Sequence, residues 1–142
     1  MDTVAKLRHV GIVTDRIEES IHFYSKALGF TVVSDMLETG SFIDAILGSK
    51  CKIRTVKMTN NNFMIEFLSF ETFNSSYFDL FTLGCTHIAI TVNCINDTFE
   101  ILSKAGAEFI SQPKISDDNK AKVCFCKDPN NNIFLEIVEQ IH

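Results

Sequence analysis

Hydrophobic and polar positions along the chain follow the same succession twice. From Leu7 to Val13 apolar and polar residues alternate, the period of a half-buried strand. A polar break follows, and then Ile17, Ile21, Tyr24 and Leu28 recur at the spacing of one helical face, with Gly29 placed to end the helix in a left-handed cap. Thr86 to Val92 alternates in the same way, Ile95, Phe99, Leu102 and Ala105 form the next helical stripe, and Gly106 closes it. Three further strands are predicted in each half. They are Thr31 to Met36, Ile53 to Lys57 and Phe63 to Ser69, then Glu108 to Ser111, Lys122 to Cys126 and Ile133 to Glu139. Each half therefore reads β-α-β-β-β. Asn60 to Asn62 and Asp128 to Asn132 supply turn residues between the last two strands, because Asn and Asp tolerate positive φ and Pro129 fixes one dihedral.

The two halves also match residue by residue. RHVGIVTDRIEESIHFYSKALGFTVVS from Arg8 overlays THIAITVNCINDTFEILSKAGAEFIS from Thr86. His9 falls on His87, Ile12 on Ile90, Ile17 on Ile95, Ser25 on Ser103 and Lys26 on Lys104. After one deletion Gly29 meets Gly106 and Ser34 meets Ser111, and NNFMIEFLS around Glu66 overlays NNIFLEIVE around Glu136. The predicted fold is α+β, two βαβββ modules forming a cupped mixed sheet within one domain of residues 1–142. Module 1 spans about 5–70, a linker about 71–84 and module 2 about 85–140. The linker is apolar, so Phe73, Tyr77, Phe78, Leu80 and Phe81 are expected to pack on the sheets or at a subunit contact, with Tyr77 to Leu83 as a short helix. The insertion Leu37 to Cys51 suits a loop or short helix at a pocket mouth.

Length and composition narrow the function classes. A chain of 142 residues with 46% hydrophobic content can bury one ordinary core. Its net charge of -5 and the lack of basic clusters interleaved with aromatics exclude an electrostatic grip on nucleic acid. The opening MDTVAKLRHV lacks the apolar run of a signal peptide, and no segment approaches the roughly 20 apolar residues of a membrane span, so a cytoplasmic location is expected. Cys51, Cys85, Cys94, Cys124 and Cys126 are an odd set without a secretion signal, and reduced thiols follow. Cys124 and Cys126 share one strand face. Two thiols do not make a zinc site, and they are expected to be buried or to line a pocket.

Candidate chemistry comes from the repeat. His9 and His87 occupy equivalent positions in the first strands, and Glu66 and Glu136 in the last. Imidazole nitrogen and carboxylate oxygen suit a divalent metal such as Zn, Ni, Co, Mn or Fe. Both glutamates interrupt apolar runs, MIEFL and FLEIV, where a carboxylate needs a cationic or hydrogen-bonding partner. His22, opposite the apolar stripe of its helix, and His142, the last residue, are expected in water.

With these residues in place a resemblance is plain. HVGIVTDRIEESIHFYSKALGF, CTHIAITV and KDPNNNIFLEIVE resemble the two module openings and the closing D-P-x-x-N-x-x-E-L-x-E motif of the glyoxalase, bleomycin-resistance and dioxygenase superfamily, also called the vicinal oxygen chelate superfamily, with Ile137 in place of the usual Leu. The similarity covers nearly the whole chain. It implies one divalent metal held by His9, Glu66, His87 and Glu136, with Glu66 and Glu136 also moving a proton beside a metal-bound carbonyl of a small substrate that binds through oxygen. The ligand set resembles that of glyoxalase I, a lyase or isomerase activity, and that of methylmalonyl-CoA epimerase, in which Gln is common at the Glu66 position. Val13 stands where glutathione-dependent relatives typically have Arg, and Arg54, Lys120 and Lys122 are further candidates for an anionic substrate group. An extradiol dioxygenase and a non-catalytic antibiotic-binding protein are the alternatives. The first is disfavoured by Cys126 at the place of the usual Tyr, the second by the complete ligand set. Relatives build the site within one chain or across a homodimer, and the resemblance implies one of the two.

Overall fold

The computed structural model describes residues 6–74 and 78–142. They fall into two compact units, Met1–Asn74 and Ser75–His142. In the first, β1 (Val10–Val13) leads into α1 (Ile17–Lys26), then β2 (Thr31–Thr39), α2 (Ser41–Leu47), β3 (Lys52–Asn60) and β4 (Phe63–Phe70). The sheet order is β1-β4-β3-β2, with β1 and β4 parallel and the other pairs antiparallel. In the second unit β5 (His87–Thr91) leads into α3 (Ile95–Lys104), then β6 (Glu108–Phe109), β7 (Lys114–Ile115), β8 (Ala121–Lys127) and β9 (Phe134–Gln140). Its order is β5-β9-β8-β6, with β7 also pairing β8 and with β5 and β9 parallel. The expected α+β fold of two βαβββ modules is what forms, as two mixed sheets. In the second copy the edge strand that follows the helix is split into the short β6 and β7 on either side of Pro113, which cannot donate a ladder hydrogen bond.

Each helix lies against one face of its own sheet. In α1 the fully buried positions are Ser20, Phe23 and Tyr24, while Ile17, Ile21 and Leu28 are only half-buried, so the buried stripe is rotated from the predicted one. A hydroxyl cluster at the strand-to-helix junction sets that rotation. Thr14 Oγ1 accepts from Arg16 N (3.0 Å) and lies 3.3 Å from Ser20 Oγ, which donates to Arg16 O (2.7 Å). Tyr24 then meets Phe23, Phe30 and Phe67 edge to face at 5.1–5.5 Å between ring centroids, a favoured aromatic geometry. In α3, Ile95 and Leu102 are buried whereas Ala105 is exposed. Glu139 of β9 accepts the Ile95 N–H at 2.7 Å and so caps the helix from the sheet. Gly29 (φ 71°) and Gly106 (φ 100°) take the left-handed conformations expected of them.

Strand alternation divides each sheet into a helix side and a far side. Val56, Met58, Ile65 and Phe67 are buried on the helix side of the first unit. Cys124, Cys126, Leu135 and Ile137 are their counterparts in the second. Glu66 and Glu136, between those strand positions, therefore project from the far sides.

One local expectation is corrected. Phe78 to Leu83 form a turn rather than a helix, because the Asp79 carboxylate accepts the Phe81 N–H (2.9 Å) and Thr82 bonds back to Asp79, satisfying the backbone locally. Tyr77 lies outside the described residues. Of the linker aromatics, Phe78 stacks on Phe134 at 5.9 Å, but Phe81 is 92% exposed and Phe73 is also exposed. The insertion forms α2, which a left-handed Gly48 ends. Among the described residues no helix is long and apolar enough to cross a membrane.

Phe67, fully buried at the centre of the first aromatic cluster, is the test of this packing. Phe67→Ala should destabilise the protein by about 3–5 kcal/mol in urea unfolding, the usual cost of emptying such a site. A loss below about 1 kcal/mol would show that the cluster contributes little.

Candidate metal centre

Each far side carries one His–Glu pair. Parallel pairing puts Gly11 beside Glu66, and His9, two residues earlier, falls on the same side of the sheet. His9 Nε2 lies 3.4 Å from Glu66 Oε1. In the second unit Ala89 is beside Glu136, and His87 Nε2 lies 3.4 Å from Glu136 Oε2. The structure thus brings the four predicted residues together as two pairs of equal spacing. Among the described residues no three His, Cys, Asp or Glu side chains form a group that could hold a metal ion, so each pair by itself offers two donors.

The spacing is long for a hydrogen bond and is compatible with an ion pair or with two ligands of one cation. N–H···O bonds cluster near 2.9 Å and seldom exceed about 3.2 Å. Two ligands at about 2.1 Å from one metal, subtending about 90–110°, stand roughly 3.0–3.4 Å apart. In the second pair Nδ1 of His87 lies 3.3 Å from Thr86 Oγ1. A cation between Nε2 and the Glu136 carboxylate would take one donor from each. The donor set therefore fits a divalent metal. Glu66 is the more withdrawn carboxylate, its side chain 15% exposed against 25% for Glu136.

The neighbours of the two pairs differ, and the sequence reading missed this. Across the β3–β4 ladder Lys57 is the register partner of Glu66, with Nζ 3.8 Å from Oε2. Across β8–β9 the partner of Glu136 is Phe125, whose ring meets His87 edge to face at 5.3 Å. The first half-site carries an ammonium where the second carries a phenyl ring. A cleft of about 400 Å³ opens beside His9, bordered by Leu7, Arg8, Val10, Phe63 and Met64.

Other candidates stand elsewhere. Arg54 forms ion pairs with Glu18 of α1 and with Asp35 of β2, the latter at 2.8 Å, so it ties the helix to the sheet on the side away from Glu66. Its guanidinium holds the Asp35 carboxyl below the ordinary range. Lys120 belongs to the Asp118 turn, and Lys122 pairs with Ile115 and Glu139 in the ladder. His22 is exposed, as expected. Cys126 and Cys124 are buried on the helix side, away from Glu136.

The sequence profile described as the Glyoxalase/Bleomycin resistance protein/Dioxygenase superfamily matches residues 6–135. The chain belongs to that superfamily. Solved structures of the superfamily's fold align over almost the full length. A glyoxalase family protein from Bacillus cereus is 18% identical, with 99% of this chain and 97% of that one covered and a TM-score of 0.87. One from Enterococcus faecalis is 20% identical, covering 97% and 100%, with a TM-score of 0.73. A mutant of the genomically encoded fosfomycin resistance protein FosX from Listeria monocytogenes, complexed with Mn(II) and 1S,2S-dihydroxypropylphosphonic acid, is 10% identical, covering 95% and 90%, with a TM-score of 0.65. No curated protein shows significant sequence similarity to this chain.

Burial pushes the thiols of Cys124 and Cys126 up, to about 11 and about 12, and so keeps them protonated at ordinary pH. Cys85 and Cys94 are exposed. A thiol reagent at pH 8 should label Cys85 and Cys94 of this superfamily member readily, and Cys124 and Cys126 only after unfolding. Rapid labelling of Cys126 in the folded protein would contradict the burial.

Proposed function

We propose that this protein is a metal-dependent lyase or isomerase of the glyoxalase I type, in which His9, Glu66, His87 and Glu136 hold one divalent cation. The observation that carries the reading is the matched 3.4 Å spacing of the two His–Glu pairs, a ligand spacing repeated on the same strand positions of both units. The two half-sites complete one sphere either within a chain or across a homodimer, and residues 1–142 work as one functional domain. The FosX complex, with a metal and a small vicinal diol, is a precedent of the same fold for this kind of ligand.

When bound, the cation supplies Lewis acidity that makes the hydrogen next to a coordinated carbonyl removable. The protein's part is to take and return that proton. The Glu136 carboxylate, beside His87 and near the ring of Phe125, accepts the proton from carbon while the C–H electron pair moves toward the carbonyl oxygen. Returning the proton to the neighbouring carbon, or to the other face, isomerises the substrate with no net change in atoms or electrons. Glu66 is held by His9 and Lys57 and serves chiefly as a ligand. Phe125 and Phe134, flanking Glu136 across and along the sheet, restrict water at the reacting carbon.

Metal analysis of the purified protein, followed by titration calorimetry with Zn²⁺, Ni²⁺ and Mn²⁺, tests the ligand assignment. His9→Ala and His87→Ala should each weaken binding at least tenfold, and unchanged affinity in either would remove that residue from the sphere. On a hemithioacetal or acyl thioester substrate, Glu136→Gln should lower kcat by about 10²- to 10⁴-fold at full metal occupancy, since the amide keeps a donor oxygen but cannot accept a proton. Glu66→Gln should cost clearly less. Equal losses would show that proton transfer is shared between the two, and unchanged turnover in both would sink the mechanism.

A further inference from the structure

The two half-sites share one backbone plan but differ in charge. Glu66 and Glu136 are equivalent in the repeat, and so are their ladder partners Lys57 and Phe125. The neighbours one step further along the same face continue the contrast. Thr55 and Lys57 stand where Val123 and Phe125 stand in the second unit, and Ser34 of β2 is the register partner of Lys57 on its other side. The first unit thus presents a hydroxyl, an ammonium and a hydroxyl, the second two apolar side chains.

Lys57 is not needed to neutralise Glu66 once a cation is present. Two carboxylates cancel a divalent ion, two neutral imidazoles add nothing, and the ammonium of Lys57 leaves the assembled centre with one positive charge. That charge is 3.8 Å from Glu66 Oε2 and its side chain is 34% exposed, so it is incompletely solvated and accessible from outside beside Glu66. Arg54, the other cation of β3, is already paired twice and faces the helix side. Lys57 alone among the basic residues of β3 and β4 both faces Glu66 and keeps donors free for a ligand.

We propose that Lys57 is a specificity-determining residue that binds an anionic oxygen group of the substrate, a carboxylate or comparable oxyanion. The proposal rests on the metal-centre reading above. Ser34 stands across the ladder from Lys57, where its hydroxyl can donate to the same group.

A matched pair of chelating probes tests this without turnover. Butanehydroxamic acid and succinohydroxamic acid present the same vicinal oxygens and similar length, but only the second ends in a carboxylate. Calorimetry on the metal-loaded protein should show succinohydroxamate binding about tenfold more tightly, a preference that falls with added salt as a partly exposed ion pair requires. Lys57→Met should abolish the preference while metal affinity stays equal or rises, since a competing cation has been removed from Glu66. Lys57→Arg should retain most of it. If both probes bind but wild-type protein does not distinguish them, or Lys57→Met distinguishes them as well as wild type, the assignment of Lys57 fails and the metal centre stands. If Lys57→Met loses the metal, Lys57 positions Glu66 instead and the proposal is overturned. Failure of wild-type protein to bind Zn²⁺, Ni²⁺ or Mn²⁺ would overturn the metal centre and the Lys57 role together.

Discussion

The parallel pairing of the first and last strands in each unit is the constraint on which the site depends. Hairpins arise locally, but parallel neighbours require a crossover, here made by a helix and an intervening antiparallel pair. The crossover fixes Gly11 beside Glu66 and Ala89 beside Glu136, and both histidines follow from that register, two residues earlier on the same side. A slip of one residue would turn the glutamates into the helix layer and Phe67 or Ile137 out of it. Register is therefore enforced by the core. The fully buried Phe67, Leu135 and Ile137 cannot leave it without losing the apolar burial that holds each helix to its sheet.

That division of faces explains how acidic residues persist in strands that are otherwise apolar. The helix side is closed by aromatic and aliphatic packing, so polar groups that cannot be solvated there are confined to the far side. Glu66, its side chain only 15% exposed, meets His9 and Lys57 rather than bulk water. Glu136 meets His87 and an aromatic wall. Buried polar groups of the second unit are handled by local brackets instead. The Asp128 carboxylate accepts from the backbone of Asn130 and Asn131 and from the Asn131 side chain, which locks the β8–β9 turn. The register that sets Phe125 opposite Glu136 is anchored by that turn.

Much of this was legible in the sequence because two periodicities coincide with an internal repeat. Strand alternation, helical spacing and the two terminal glycines gave the βαβββ order, and the overlay singled out His9, His87, Glu66 and Glu136 from all other candidates. What alternation could not supply was the rotation of each helix. In α1 the buried stripe runs through Ser20 because Thr14 and Arg16 bind its hydroxyl, an interaction that a hydrophobic pattern ranks as exposed. The linker helix misled for a related reason: Asp79 satisfies the backbone of Phe81 and Thr82 in a turn. Lys57 was within reach of the sequence. Once Asn60–Asn62 is read as a tight turn, counting outward from Asn60 and Phe63 sets Lys57 opposite Glu66, and counting from the next turn sets Phe125 opposite Glu136.

The same backbone plan is stabilised by different means in its two copies, and this separates what the repeat must keep from what it is free to vary. In the first unit Arg54 clamps α1 and β2 to β3 through Glu18 and Asp35, whereas in the second the Glu139 carboxylate caps α3 directly. Exposed ion pairs of the first kind contribute modestly, and a part-buried charge-assisted cap of the second kind more. Either device suffices because the aromatic and aliphatic layer beneath supplies most of the holding energy. The His–Glu spacing does not vary, although nothing in the packing of either core demands it: both side chains sit on the far side, where Thr55 and Val123, or Lys57 and Phe125, exchange freely. Packing accounts for the apolar character of the helix side in both units, through different residues in each, whereas the equal His–Glu spacing lies on the side that this packing leaves open.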